Sequence, residues 1–248
     1  MSSLEGVVVV TGAGSGIGAA TAQRATAAGA RVIGADLRLP APDDRTEGVT
    51  YVEADVSLTD GCAEVAREAS AAGPVCGLFN CAGVELHGDV VGMDRSTWDR
   101  VIAVNLTSVY EMSHVIVPLM REQGGGSIVN MSSIQALATQ TDVAAYAASK
   151  GGVIAMTRAM ALDHGRDGIR VTAICPGTIA TPLVKANAAH FNPDDPQAQL
   201  REWGDLHALG RIGTPDEVAR FVIFLLSDDA AFITGSHHLV DGGLLASF

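Results

Sequence analysis

The sequence predicts a single-domain α/β fold of the Rossmann type, a doubly wound parallel sheet of about seven strands with helices on both faces. Three observations predict it. Short β-branched runs alternate with longer helical stretches along the chain, as a parallel sheet covered on both sides requires. The first run, GVVVVTG at 6–12, is apolar without alternation, which suits a strand buried on both faces. That run leads straight into a Gly-rich turn, TGAGSGIG at 11–18, which opens a helix.

The remaining elements follow in order. Residues 17–29 are Ala-rich and helical in pattern, and RVIGAD (31–36) is the second strand. VTYVEAD (49–55) is the third strand and VCGLFNCAG (75–83) the fourth. Residues 95–122 read as one long helix, SIVNMSS (127–133) as the fifth strand, 143–163 as a helix and IRVTAICPG (169–177) as the sixth strand. Thr214-Pro215-Asp216-Glu217 is a helix start, with a capping residue, Pro in the first turn and a Glu placed to close a capping box. That helix is expected to run to about Leu226, and HHLVDGG (237–243) supplies a seventh strand. No repeat, low-complexity tract or linker splits residues 1–248, so one domain is expected. The least regular stretch is 178–212, which contains NAAHFNPDDPQAQ at 187–199. Such a segment after a strand end is expected to be a lid over a site, the alternative being a mobile surface loop.

Composition narrows the function. The chain has 248 residues, 48% hydrophobic and 18% charged, as an ordinary packed globule does. The net charge of −12 leaves no basic patch for DNA or RNA and disfavours an anionic membrane surface. The N-terminus lacks the basic and apolar regions of a signal peptide, and no apolar run approaches the roughly 20 residues of a membrane span. The four cysteines (Cys62, Cys76, Cys81, Cys175) have no CxxC spacing. They suggest neither a zinc site nor a disulfide framework but reduced thiols of a cytoplasmic protein, and no metal is expected.

One end of the expected site reads as a nucleotide site. In the turn, Gly12, Ser15, Gly16, Ile17 and Gly18 place glycine where backbone must approach a phosphate, and the helix N-terminus offers N–H groups to a pyrophosphate. Asp36 ends the second strand 18 residues after Gly18, where a carboxylate accepts from adenosine ribose hydroxyls and repels a 2′-phosphate. Ser15 brings no positive charge, so NAD is expected rather than NADP, although Arg38 blunts the repulsion. Asp55 and Val56 close the third strand. Asp55 is open to two readings, a contact to the adenine amino group or an ordinary turn residue.

The other end carries polar groups at strand ends. Ser133 ends the fifth strand, and Tyr146 and Lys150 lie one turn apart on the following helix. Asn105 sits in a helix interior among apolar neighbours, which is unfavourable unless its side chain has a role. Strand carboxyl ends are where open α/β sheets bind ligands.

These motifs identify a resemblance. TGAGSGIG, NCAG at 80–83, Asn105, Ser133 with Tyr146-Ala-Ala-Ser-Lys150, and PGTIATP at 176–182 together resemble the short-chain dehydrogenase/reductase family over essentially the whole chain. Cys81 departs from that pattern, where the family usually has a second Asn. The resemblance implies that Tyr146 exchanges a proton with the substrate oxygen, its phenol brought down by Lys150 and by the positive nicotinamide ring. Lys150 also binds the nicotinamide ribose, Ser133 holds the substrate oxygen, and Asn105 anchors a water in a proton relay. Asn80, Ala82, Gly83, Pro176, Gly177, Ile179 and Thr181 join the cofactor contacts, with Thr181 at the nicotinamide amide. A homotetramer is implied, formed through the helices at 95–122 and 143–163 and the C-terminal strand, with Leu244–Phe248 docked on a neighbour.

Substrate is the finer question. Glu85, Gln135 and Gln140 put several hydrogen-bonding groups at one mouth, which suits a polyhydroxylated ligand because buried polar groups need partners. Segments 132–150, 175–188 and 201–219 further resemble the family's aldohexose dehydrogenases, which implies that Glu85 holds sugar hydroxyls. The alternatives are a reductase of small ketones or 3-oxoacyl thioesters, which should prefer NADPH, and a dinucleotide-sensing protein on the same fold. Sensing proteins tend to lose the Tyr and Lys, which this chain keeps.

Overall fold

The computed structural model describes residues 3–247. Its strands are β1 (Val7–Thr11), β2 (Arg31–Asp36), β3 (Val49–Glu53), β4 (Val75–Asn80), β5 (Gly126–Met131), β6 (Ile169–Pro176) and β7 (His237–Val240). They form one seven-stranded sheet in the order β3-β2-β1-β4-β5-β6-β7, every neighbouring pair parallel. β1 is buried at all five positions. Val7 and Val9 pack into one core layer and Val8 and Val10 into the other, which is why the run shows no polar alternation.

Helices α1 (Gly16–Ala27) and α8 (Pro215–Leu226) cover one face through residues such as Ala22, Ala25, Val218 and Val222. The other face carries α2 (Thr59–Ala72), α3 (Arg95–Ile102), α4 (Ser108–Glu122) and α5 (Ala144–His164). The sequence gives no clear sign of α2, because its buried stripe is only Cys62, Val65 and Ala69. The long helix expected at 95–122 is continuous but not uniform: a π turn at Ala103–Thr107 joins α3 to α4. By length and composition this run could cross a membrane. Here Val101, Met112, Ile116 and Met120 bury its apolar side in the domain core.

The stretch 178–212 corrects the sequence reading. It contains two helices, α6 (Pro182–Phe191) and α7 (Pro196–Asp205). Each starts with a proline in its first turn behind a capping side chain: Thr181 accepts from the Val184 N–H, and Asp195 from the Ala198 N–H. Of the two prolines in 187–199 that suggested irregularity, Pro196 is a helix start, where a missing N–H costs nothing, and Pro193 lies in the bend between the two helices.

The end of β7 fastens this region. Val240 O accepts from the Gly177 N–H at 3.2 Å, and Gly242 O from the Leu209 N–H at 3.1 Å. Asp241 accepts from the N–H groups of Gly243 and Leu245 at 3.0 and 2.9 Å. A 3-10 turn at Leu244–Ser247 follows, and Phe248 lies outside the described residues.

Candidate active site

The carboxyl ends of β1, β4, β5 and β6 open on a cleft of about 640 Å³, roofed by α6 and α7. Every site residue expected from the sequence lines it except Asn80 and Asn105.

The nucleotide end is built from β1 and the start of α1. A Cβ on Gly18 would overlap the Gly12 carbonyl, so only glycine lets α1 start this close to the strand. Ser15 occupies the N-cap position in extended conformation but makes no side-chain cap bond. The first-turn N–H groups are therefore left to a ligand, and the helix dipole favours an anion. Asp36 accepts from the Gly14 N–H at 2.8 Å through Oδ2 and from the Arg38 N–H at 3.1 Å through Oδ1. Its carboxylate is thus pinned to the phosphate loop and retains lone pairs for hydroxyls. Asp55 lines the cleft with Val56, and its Oδ1 accepts from the N–H and hydroxyl of Ser57, so the turn reading holds for that oxygen. Thr11 Oγ1 accepts from the N–H groups of Cys81 and Ala82 at 3.0 and 3.1 Å, which ties β4's exit to β1 and positions Ala82 and Gly83.

Asn80 does not line the cleft. It is 3% exposed and donates to Asn130 Oδ1 at 2.9 Å across the β4–β5 pair, inside the sheet rather than on the cleft. Asn130 continues to Thr157 on α5 at 2.9 Å. Asn105 also lies behind the cleft lining. Its Oδ1 accepts from the Val84 N–H at 2.8 Å, and its Nδ2 donates to Val84 O at 2.8 Å and to Ser149 Oγ at 3.2 Å. One amide hydrogen holds the segment after β4 and the other reaches Ser149 on α5, so the side chain braces the two together.

At the chemical end, α5 presents Tyr146 and Lys150 on one face. Lys150 is 2% exposed, donates to Met131 O at 2.8 Å, and lies 5.6 Å from the Tyr146 ring centre. Burial draws its ammonium down to about 8. Burial likewise pushes the Tyr146 phenol above its ordinary value, and the Glu85 carboxylate adds to that rise. A hydrogen bond with Ser133 works against it. In the protein alone, desolvation and the Glu85 charge together outweigh the Ser133 hydrogen bond. Ser133 Oγ also accepts from the Gln135 N–H at 3.1 Å.

The remaining mouth is polar on one side and aromatic on the other. Burial raises the Glu85 carboxyl, against the effects of His87 and a hydrogen bond from Asn187. Gln135 Oε1 accepts from Thr139 Oγ1 at 2.9 Å and from the Gln140 N–H at 3.2 Å, so part of its capacity shapes the loop. Phe191 and Trp203, edge to face at 6.0 Å, form the apolar side. Thr181 lines the cleft while capping α6. Pro176, Gly177 and Ile179 line it between β6 and that cap.

The family model described as enoyl-(acyl carrier protein) reductase matches residues 12–245. The chain belongs to the short-chain dehydrogenase/reductase family. Its relatives in that family act on varied CH–OH and carbonyl substrates. The 2-keto-3-deoxy-L-fuconate dehydrogenase of Xanthomonas campestris pv. campestris is 37% identical over 95% of this chain and 78% of its own. The acetoacetyl-CoA reductase of Rhizobium meliloti is 39% identical over 96% of this chain and 97% of its own. The solved ligand-free aldohexose dehydrogenase of Thermoplasma acidophilum superposes with a TM-score of 0.91 at 38% identity, covering 97% of this chain and 94% of that one. This short-chain dehydrogenase is an oxidoreductase that acts on CH–OH groups with a nicotinamide cofactor. Its uncapped α1 start and pinned Asp36 fit a dinucleotide. The sequence reading did not single out Thr11 as a tie or Asn187 as a lining residue. Asn187 lies in the stretch that showed no helical signal.

Proposed function

We propose that this enzyme oxidises a CH–OH carbon of an aldose or similar polyhydroxylated substrate, with NAD as its cofactor. The observation that carries this reading is that the Glu85–Asn187 pair and Gln135 line the same cleft as Tyr146 and Ser133. A carboxylate, two carboxamides and an aromatic wall suit a ring of hydroxyls with an apolar face better than an alkyl ketone. The similarity to the aldohexose dehydrogenase supports the same reading.

In this proposal Tyr146 takes the hydroxyl proton and Ser133 holds the substrate oxygen. The nicotinamide, when bound, supplies the hydride acceptor. Lys150 holds the nicotinamide ribose and lowers the cost of a phenolate at Tyr146. Thr181 retains its hydroxyl proton for the nicotinamide amide while its oxygen caps α6. Asp36 favours NAD because its carboxylate is held by Gly14 and cannot swing away from a 2′-phosphate. The protein works as a cytoplasmic homotetramer. Leu162 on α5, Tyr110 on α4 and Leu239 on β7 are apolar and 85%, 53% and 48% exposed, on the three elements expected to meet a neighbour.

The second reading, reduction of an acyl thioester, is favoured by the similarity to the acetoacetyl-CoA reductase. A panel of aldoses, polyols, secondary alcohols and acetoacetyl-CoA, each with NAD(H) and NADP(H), separates the two. Aldoses with NAD are expected to give the highest kcat/KM. A preference for the thioester with NADPH by orders of magnitude would overturn the sugar reading.

A further inference from the structure

His207 does not line the cleft and is 4% exposed. It follows the end of α7 and lies beneath the turn that leaves β6. A Cβ on Gly177 would come within 2.9 Å of its Nε2 and within 3.2 Å of Asp241 Cβ, so the ring fills the space under that turn. Its two ring nitrogens meet different kinds of partner. Nε2 is 3.2 Å from the Thr178 nitrogen, and Nδ1 is 2.8 Å from the Trp203 carbonyl oxygen.

These partners fix the ring's state. A backbone N–H only donates and a carbonyl only accepts. Nε2 therefore carries the lone pair and Nδ1 the proton, a single neutral tautomer. Thr178 opens the segment 178–181 along the nicotinamide end of the cleft, and Trp203 belongs to its cover. On its far side the segment is paired with Gly213: the Gly213 N–H donates to Thr178 O at 2.9 Å and the Ala180 N–H to Gly213 O at 2.9 Å. The imidazole is the side chain that joins this pairing to the C-terminal end of α7.

We propose that His207 is a positioning residue. It sets Thr178–Thr181 against the cofactor and couples that segment to α7, so cover and segment shift as one body. Loss of the ring leaves the Thr178 N–H without its partner and lets the segment move independently of α7.

Three measurements test this on the full chain. In protein labelled with [15N]histidine, the His207 ring should show the Nδ1-protonated neutral tautomer; an Nε2-protonated ring would overturn the proposal. His207→Met should speed amide exchange across 177–181 and weaken NADH binding, read by NADH fluorescence, each by about tenfold, the scale of one lost hydrogen bond. Exchange in β4 and β5 should stay unchanged. His207→Gln, whose carboxamide offers an oxygen to Thr178 and an N–H to Trp203, should stay close to wild type in both measurements. Wild-type exchange and wild-type NADH affinity in His207→Met would overturn the proposal. If that variant does not fold, a folded His207→Gln with a tenfold loss does so instead. The titration rests on the nicotinamide reading, whereas the ring spectrum and the exchange do not, so failure of one is distinguishable from failure of the other.

Discussion

Burial shifts Tyr146 and Lys150 each away from its charged form, and at Tyr146 the Glu85 carboxylate adds to that shift. The phenol is held protonated and the ammonium is weakened. In the proposed reaction a bound positive nicotinamide ring would tip the balance toward phenolate. Tyr146→Phe should lower kcat by about a hundredfold or more, the usual scale of lost general acid–base catalysis, with NADH affinity within a few-fold of wild type. Full activity in that variant would remove Tyr146 from the reaction. Asp36→Ala should shift the NAD-to-NADP ratio of kcat/KM by about tenfold or more, because relief of roughly 1.4 kcal/mol of repulsion is a factor of ten. The same change should also weaken NAD itself, since Gly14 loses its acceptor. An unchanged ratio would place the discrimination at another residue. Asn105 shows what single-residue reading reaches. Its oddity in a helix was readable, but its partner Val84 lies 21 positions away and only the fold brings them together.

Among the elements, the strands were readable because a strand buried on both faces must be continuously apolar, as Val7–Val10 are. α8 was readable from local chemistry, and the Thr214–Glu217 capping box is present. Arg211 and Thr214 hold the Glu217 carboxyl down at about 2. Glu217's contribution is therefore present above the ordinary carboxylate range and lost as pH falls toward 2, softened by solvent at this exposed site. Thr214→Ala should cost about 1 kcal/mol in denaturant unfolding; no change in midpoint would show that the cap is redundant. α6 and α7 were not readable, because Pro193 and Pro196 suggest irregularity and Pro182 reads only as the end of PGTIATP, without the capping residues Thr181 and Asp195 being recognised. Asn187 was missed with them, since no periodicity marked it as buried. α2 escaped for a different reason: its stripe of Cys62, Val65 and Ala69 is too narrow to stand out.

For the molecule as a whole, the buried Lys150 makes stability depend on alkaline pH. Its folded value of about 8 lies below the ordinary 10.5, so between these the unfolded chain holds a proton that the folded protein has released. Stability should therefore rise with pH from about 8 to 10, relative to Lys150→Met. Above 10 the raised Tyr146 value acts in the opposite sense, because the unfolded phenol ionises first. Thermal unfolding of both cofactor-free proteins across this range checks the trend, and parallel curves would show that Lys150 is not desolvated. The end of β7 carries a consequence for how the chain is made. Val240 and Gly242 hold Gly177 and Leu209, which are synthesised before them. While a ribosome still holds residues 240–245, a nascent chain can pair its first six strands, but the cover of its cleft lacks the bonds that Val240 and Gly242 supply. Ending the chain after Leu239 should raise amide exchange in α7 well before β1 and β4 are affected, and equal loosening of all three would contradict this order.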